Sequence, residues 1–319
     1  MRIGKQDAPY TAICTSDAES ITVRGRDLVN ELMGQIDFTS YFWLLVTGQM
    51  PSEQQTWFTN AALVALAEHG LVPSVVAARM TYAAAPEALQ GAVAAGLLGC
   101  GSVVLGSAEV AGRFYATCVA DQRATGDDLH AVAVRNITKL RQTTKAIPGF
   151  GHPQHAGGDP RANRLLEMAD ARGASGEHVA MMRALKAALP ETIGRDLPIN
   201  VNAAIPSIML DIGFPLAALK GIGLLCRTAG LIGHLTEEAE PELAHASPVF
   251  ERQELLVESM RGHRYDQELL ERAGREHVAC REHVRDVWRV EAAAVQRHAL
   301  QAGDVSPHIR ASTTAGAAR

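Results

Sequence analysis

The sequence predicts an all-α protein with a short N-terminal β-hairpin. Three observations carry this. Ala, Leu, Val and Gly are prominent in a composition that is 47% hydrophobic yet only 5% aromatic, which favours helices packed through small side chains. Apolar residues recur at helical spacing between recognisable caps along most of the 319 residues. Strands alternating with helices are missing, which disfavours a doubly wound α/β sheet.

The elements follow in order. Residues 11–26 (TAICTSDAESITVRGR) alternate weakly and carry β-branched side chains, so they predict the hairpin. Helical spacing then runs over 27–48. Ser52, with Glu53 in the first turn, caps a helix reaching about His69. Pro73 opens a helix through Ala83, and Pro86 opens the apolar one. Residues 109–145 are helical except for the turn ATGDD at 124–128. A glycine-rich loop follows, then helices near 161–171 and 177–188. Leu197 and Pro198 precede a segment to Gly213, Pro215 starts another, and 227–240 completes the apolar part. Beyond about 250 the chain is charged, and 267–300 predicts one long amphipathic helix.

The balance of 30 basic and 35 acidic residues gives a net charge of −5, without the basic excess that nucleic-acid binding needs. Nucleic acid is therefore not an expected partner. Cys14, Cys100, Cys118, Cys226 and Cys280 are scattered, which fits reduced thiols in a cytoplasmic protein. The start, MRIGKQDAPYTAI, is not a signal peptide. Residues 88–108 are long enough to span a bilayer, but five glycines and the lack of flanking Lys or Arg predict a buried, close-packed helix instead. No membrane partner is expected.

The chemistry concentrates in GFGHPQHAGGDPRANRL, 149–165. Gly149 and Gly151 begin a G-x-G pattern, but no strand precedes them and a dinucleotide fingerprint is incomplete. His152, His155 and Asp159 are metal-ligand types without diagnostic spacing, and a solvated inter-helix loop is the plain alternative. Glycines around His152 expose backbone groups, His152 titrates near neutral pH, and Arg161 offers a fork for a carboxylate. That set suits an anionic ligand with a reacting carbonyl.

The G-F-G-H and D-P-R parts, at their separation, resemble the citrate synthase signature. PINVNAAIPSIMLDIGFP (198–215) resembles that family's segment around its catalytic aspartate, and CRTAGLIGHLTEE (226–238) its citrate-binding arginine helix. VRGRDLVNEL, YFWLLVTGQMPS and the 68–102 segment are also similar, so the resemblance covers about 20–240. The short stretch between TGQMPS and AEHGLVPS is similar to the compact citryl-CoA lyase branch.

The resemblance implies a two-domain helical fold: a large domain from 1–108 and 206–319, and a small domain, 109–205, that closes over the ligand. It implies a likeness to enzymes that make or break a C–C bond between a CoA thioester and an oxo or hydroxy acid, working as a homodimer without metal or prosthetic group. His152 maps to the histidine facing the ketone, while Arg161 and Arg227 map to carboxylate clamps. His69 maps to an additional substrate-binding histidine. Lys145 is a candidate phosphate contact, and Gly149, Phe150 and Gly151 supply main-chain contacts to the CoA adenine.

Two positions depart from the family pattern. SVVLGSA stands where the family has GPLHGGA, so Leu105 replaces the enol-stabilising histidine. NVN stands where the family has NVD, so Asn202 replaces the base. Leucine donates no hydrogen bond, and an amide takes up no proton usefully at neutral pH. The alternative to a citryl-CoA lyase or citrate synthase activity is therefore a non-catalytic CoA and carboxylate binder, or an enzyme of altered thioester chemistry. His155, Glu109 and Asp159 are nearby polar groups that could replace the missing proton donor.

Overall fold

A computed structural model describes residues 11–101, 107–151 and 157–239. They form ten α-helices and a small antiparallel sheet. The expected hairpin is a three-stranded meander of β1 (Cys14–Ser16), β2 (Ile21–Val23) and β3 (Arg26–Asp27), with Cys14 opposite Val23 and Thr22 opposite Asp27. Arg24 and Gly25 join β2 to β3 with φ of 51° and 80°, the left-handed pair that a two-residue hairpin turn requires. The unusual backbone at Arg24 is held because its guanidinium donates twice to the Leu45 carbonyl.

The expected helix over 27–48 divides. A π-turn, Leu28–Leu32, is capped by Asp27, and α1 is Phe38–Thr47. Asp37 accepts from Ser40 N at its start, while Gly48 closes it with φ 75°. The Ser52 cap of α2 (Glu53–Ala67) is a reciprocal capping box with Gln55. Gln55 Nε2 also donates to the Ile212 carbonyl, tying the start of α2 to a residue 157 positions along the chain.

Pro73 starts α3 (Pro73–Ala84). The apolar run 88–108 is not one helix: α4 covers Leu89–Leu98, and α5 begins at Ser107. Gly99 and Gly101 follow the last turn of α4, where glycine favours termination. Nor is α4 enclosed as expected, because only Ala92 and Gly96 are buried and Leu98 is 87% exposed.

Helices α5 (Ser107–Thr125) and α6 (Leu129–Arg141) flank the expected turn. They are followed by α7 (Pro160–Ala171), α8 (Glu177–Ile193) and α9 (Val201–Asp211). The two expected segments after Pro215 merge into a 3-10 turn, Leu216–Ala218, and one continuous α10, Leu219–Ala239. The expected helix over 267–300 lies outside the described residues.

The main core joins α1, α2, α5, α8 and α9 through Trp43, Phe58, Tyr115, Leu185, Met209 and Phe214. A second cluster of Val75, Ala78, Ala92, Leu231 and Leu235 joins α3, α4 and α10. Helix α10 meets the end of α2 closely: a Cβ on Gly230 would fall 2.1 Å from the Ala67 carbonyl oxygen. Glycine there is a packing requirement, and Arg227 lies one turn before it on the same helix.

Candidate active site

The glycine loop is stitched to the segment before α9. Gly151 N donates to the Pro198 carbonyl at 2.8 Å, and Asn200 N donates to the Gly149 carbonyl at 3.1 Å. Phe150 and Ile199 form an isolated antiparallel bridge. Asn200 adds a side-chain bond from Nδ2 to the Gly151 carbonyl at 2.6 Å, while its Oδ1 accepts from Asn202 N and caps α9. The loop thus has strand-like backbone pairing without belonging to a sheet.

Gly149 is fixed twice over. Its φ is 87°, and a Cβ there would lie 2.1 Å from Tyr115 Oη and 2.7 Å from Ala203 Cβ. Tyr115, fully buried, donates its hydroxyl to the Pro148 carbonyl. Phe150 is itself a core residue, edge-on to Tyr115. Its ring faces inward, so only its backbone could meet a ligand. Lys145 is exposed, with its carbonyl accepting from Arg141 Nη1.

Asp159 organises the next layer. It is completely buried, with Oδ1 accepting from Arg161 N and Nε and Oδ2 from Arg161 Nη2 and Val201 N, all at 3.0 Å. One carboxylate therefore caps α7 and also takes the first N–H of α9. Two helix N-termini point at it, an arrangement that favours negative charge. Burial alone would raise its pKa, but the hydrogen bond from Arg161, with Val201 N–H and the guanidinium charge, holds it below the ordinary carboxylate range.

Arg161 is accordingly engaged. Its remaining nitrogen, Nη1, lies 3.5 Å from the Ala65 carbonyl in the last turn of α2. It also borders a groove of about 390 Å³ between α2 and α7, lined by Trp57, Ala61, Arg164, Leu165 and Met168. Arg227 is in the opposite condition. It is only 3% exposed, and neither Nε nor Nη1 has a hydrogen-bond partner among the described residues. Its charge acts on the buried thiols of Cys226 and Cys100: burial pushes Cys226 up to about 11, and Arg227 partly opposes the rise at both.

The last turn of α2 is common to these groups. Arg161 reaches Ala65, α10 packs on Ala67 one turn after Arg227, and half-buried His69 follows directly. Asn202 sits half-buried in the first turn of α9, and its side-chain amide makes no hydrogen bond among the described residues. His152, His155 and Leu105 lie outside the described residues. Glu109 pairs with Arg113 one turn away, and Asp159 is committed to four hydrogen bonds. Asn200 and the double role of Asp159 were missed by the sequence reading. An Asx residue directly before each helix was the available signal, and it marks a cap without naming the second helix.

The family profile described as "Citrate synthase, C-terminal domain" matches residues 56–246. The chain belongs to the citrate synthase family. No curated protein sequence matches it. Among solved structures, this citrate synthase family chain is similar to the citryl-CoA lyase from Hydrogenobacter thermophilus, at 29% identity and a TM-score of 0.66, covering 74% of this chain and 88% of that one. It also resembles the ATP citrate lyase from Methanothrix soehngenii solved with citrate and coenzyme A, at 22% identity and TM-score 0.62. There it covers 74% of this chain but only 39% of the larger one. Citrate synthase from Thermoplasma acidophilum, solved with carboxymethyl coenzyme A and oxaloacetate, gives 18% identity and TM-score 0.54, covering 65% of this chain and 54% of that one. These last two likenesses concern the fold. The expected all-helical citrate synthase-like fold and the citryl-CoA lyase-like branch both hold.

Proposed function

We propose that this chain binds a CoA thioester together with a di- or tricarboxylate and makes or breaks the C–C bond between them, as citryl-CoA lyases do. The observation that carries the reading is Arg227. A guanidinium 3% exposed, with two nitrogens unpartnered among the described residues, carries a desolvation penalty that a ligand carboxylate would offset. Its position in CRTAGLIGHLTEE corresponds to the citrate-binding arginine that the family resemblance implies.

In the cleavage direction His152 takes the proton of the citryl hydroxyl as the ketone forms and the C–C bond breaks. The electron pair passes to the thioester, giving an acetyl-CoA enolate whose carbon then takes up a proton. The amide of Asn202 donates to the enolate oxygen, a role that needs a hydrogen-bond donor and no base. Arg161 and Arg227 orient the carboxylates, with His69 beside them. Gly149, Phe150 and Gly151 offer backbone to adenine, and Lys145 meets a CoA phosphate. The 109–205 segment acts as the small domain closing over the ligands in a homodimeric, cytoplasmic enzyme.

Leu105 and Asn202 favour a second reading, a non-catalytic CoA and carboxylate binder, because losing a base costs a factor of about 100 to 10,000. Calorimetry with CoA, acetyl-CoA, oxaloacetate and citrate, followed by turnover assays in both directions, separates the two. The proposal expects both ligand classes to bind, measurable citryl-CoA cleavage, and its loss in His152→Ala. It also expects Asn202→Asp to raise the rate of citrate synthesis. Binding without turnover in wild type and in Asn202→Asp refutes the enzymatic reading in favour of the binder.

A further inference from the structure

We infer that His234, through its close contact with Glu68, is a positioning residue that fixes the His69 turn at the end of α2. The inference rests on the reading of Arg227 and His69 as carboxylate-binding groups. On α10, Arg227, Gly230 and His234 fall three and seven residues apart and share one face. That face lies on the end of α2: a Cβ on Gly230 would be 2.1 Å from the Ala67 carbonyl oxygen and 3.1 Å from Glu68 Oε2. His234 Nε2 sits 2.9 Å from the same Glu68 oxygen. The other oxygen, Oε1, accepts the backbone N–H of both His69 and Gly70. A single carboxylate thus joins α10 on one side to the backbone of His69 on the other.

The partner of His234 is selected from behind. Glu237 Oε2 is 3.8 Å from His234 Nδ1, close enough to compete. Buried Arg79 on α3 draws it away: its guanidinium pairs with Glu237 and Glu238 and donates to the His234 carbonyl at 3.3 Å. The charged and titratable groups around the imidazole are therefore Glu68 and His69 after α2, Arg79 on α3, and Glu237 and Glu238 on α10. Burial would raise the Glu68 carboxyl, but His234 and the two backbone N–H groups hold it below the ordinary range. With its side chain 47% exposed, Glu68 contributes little to global stability through this pair. The effect to expect is on geometry at His69.

The test compares His234→Leu, His234→Gln and Glu68→Gln with wild type by calorimetry, titrating citrate and CoA separately, with melting temperatures alongside. His234→Gln keeps a side-chain N–H donor, and Glu68→Gln keeps the acceptor for the two N–H groups. In His234→Leu the citrate affinity should fall about fivefold, the scale of a half-exposed pair, with CoA affinity unchanged. His234→Gln should recover most of that loss. Unchanged citrate affinity in all three variants overturns the inference, as does a joint fall of citrate affinity, CoA affinity and melting temperature. If wild type binds no citrate, the carboxylate reading itself has failed. The amide NMR resonances of His69 and Gly70 then decide the positioning role: movement in His234→Leu that His234→Gln largely reverses upholds it, and unmoved resonances in His234→Leu overturn it.

Discussion

Replacing Arg227 by methionine should separate binding from stability. The side chain is 3% exposed and lacks acceptors at Nε and Nη1 among the described residues, so folding desolvates a charge without full compensation. Methionine fills similar space, adapts to an irregular site and carries no charge. Removing buried charge in favour of apolar packing is often neutral or stabilising, so unfolding without ligand should be unchanged or harder by up to about 2 kcal/mol. Citrate should lose a desolvated, charge-assisted contact worth about 2–5 kcal/mol. At about 1.4 kcal/mol per decade, that weakens Kd by about thirtyfold to a few thousandfold. Urea unfolding of the free protein and calorimetry with citrate read the two quantities independently. A variant destabilised by more than about 2 kcal/mol whose citrate affinity is intact would show that Arg227 is structural and that the argument from its unpartnered nitrogens is wrong.

Two further outcomes follow from the same geometry. Gly149→Ala should destabilise by about 2–4 kcal/mol in urea unfolding, combining left-handed strain with overpacking against Tyr115 and Ala203. Gly151→Ala, with φ 86° and no atom of the described residues within 4 Å of the added Cβ, should cost only about 1 kcal/mol, and equal effects would contradict the packing contribution. Asp159 and Asp211 are both held below the ordinary carboxylate range. Burial opposes this at each, and bonds from Arg161 and Val201, or from His178, Val179 and Gly176, outweigh it. Because the folded values lie lower, their stabilisation is complete above the unfolded pKa near 3.8 and is lost as pH falls through the folded values. Urea midpoints should therefore drop steeply below about pH 4, and less steeply in Asp159→Asn with Asp211→Asn; an equal drop would assign acid unfolding to other groups.

The sequence announced a helix clearly where a cap or a first-turn proline marked its start: Ser52 and Pro73 did so, and α2 and α3 begin at those signals, whereas the helix expected from Pro86 begins at Leu89. The break after α4 was hidden because glycine in an apolar run has two physical meanings, close packing and termination. Gly96 serves the first, with a Cβ there falling 2.7 Å from Leu231, while Gly99 and Gly101 follow the helix end. Only the neighbouring helix distinguishes them. The motif likewise located the candidate site but not its construction. The bond from Val201 N to Asp159 spans 42 residues, a separation at which no local pattern carries information.

The two arginines show the limit most clearly, because the sequence offered both as equivalent forks for carboxylates. In the fold, Arg161 gives Nε, Nη2 and its backbone N–H to Asp159. Its charge is compensated before any ligand arrives, and its outward edge is held in a fixed direction by a buried carboxylate that also caps α9. Arg227 has no carboxylate partner among the described residues and lies on the face of α10 that packs against α2. On the proposed reading, the electrostatic attraction for an anionic ligand would belong mainly to Arg227, and geometric selection mainly to Arg161. The difference between them begins with Asp159, which stands two residues before Arg161 and takes its guanidinium, while no carboxylate among the described residues does so for Arg227.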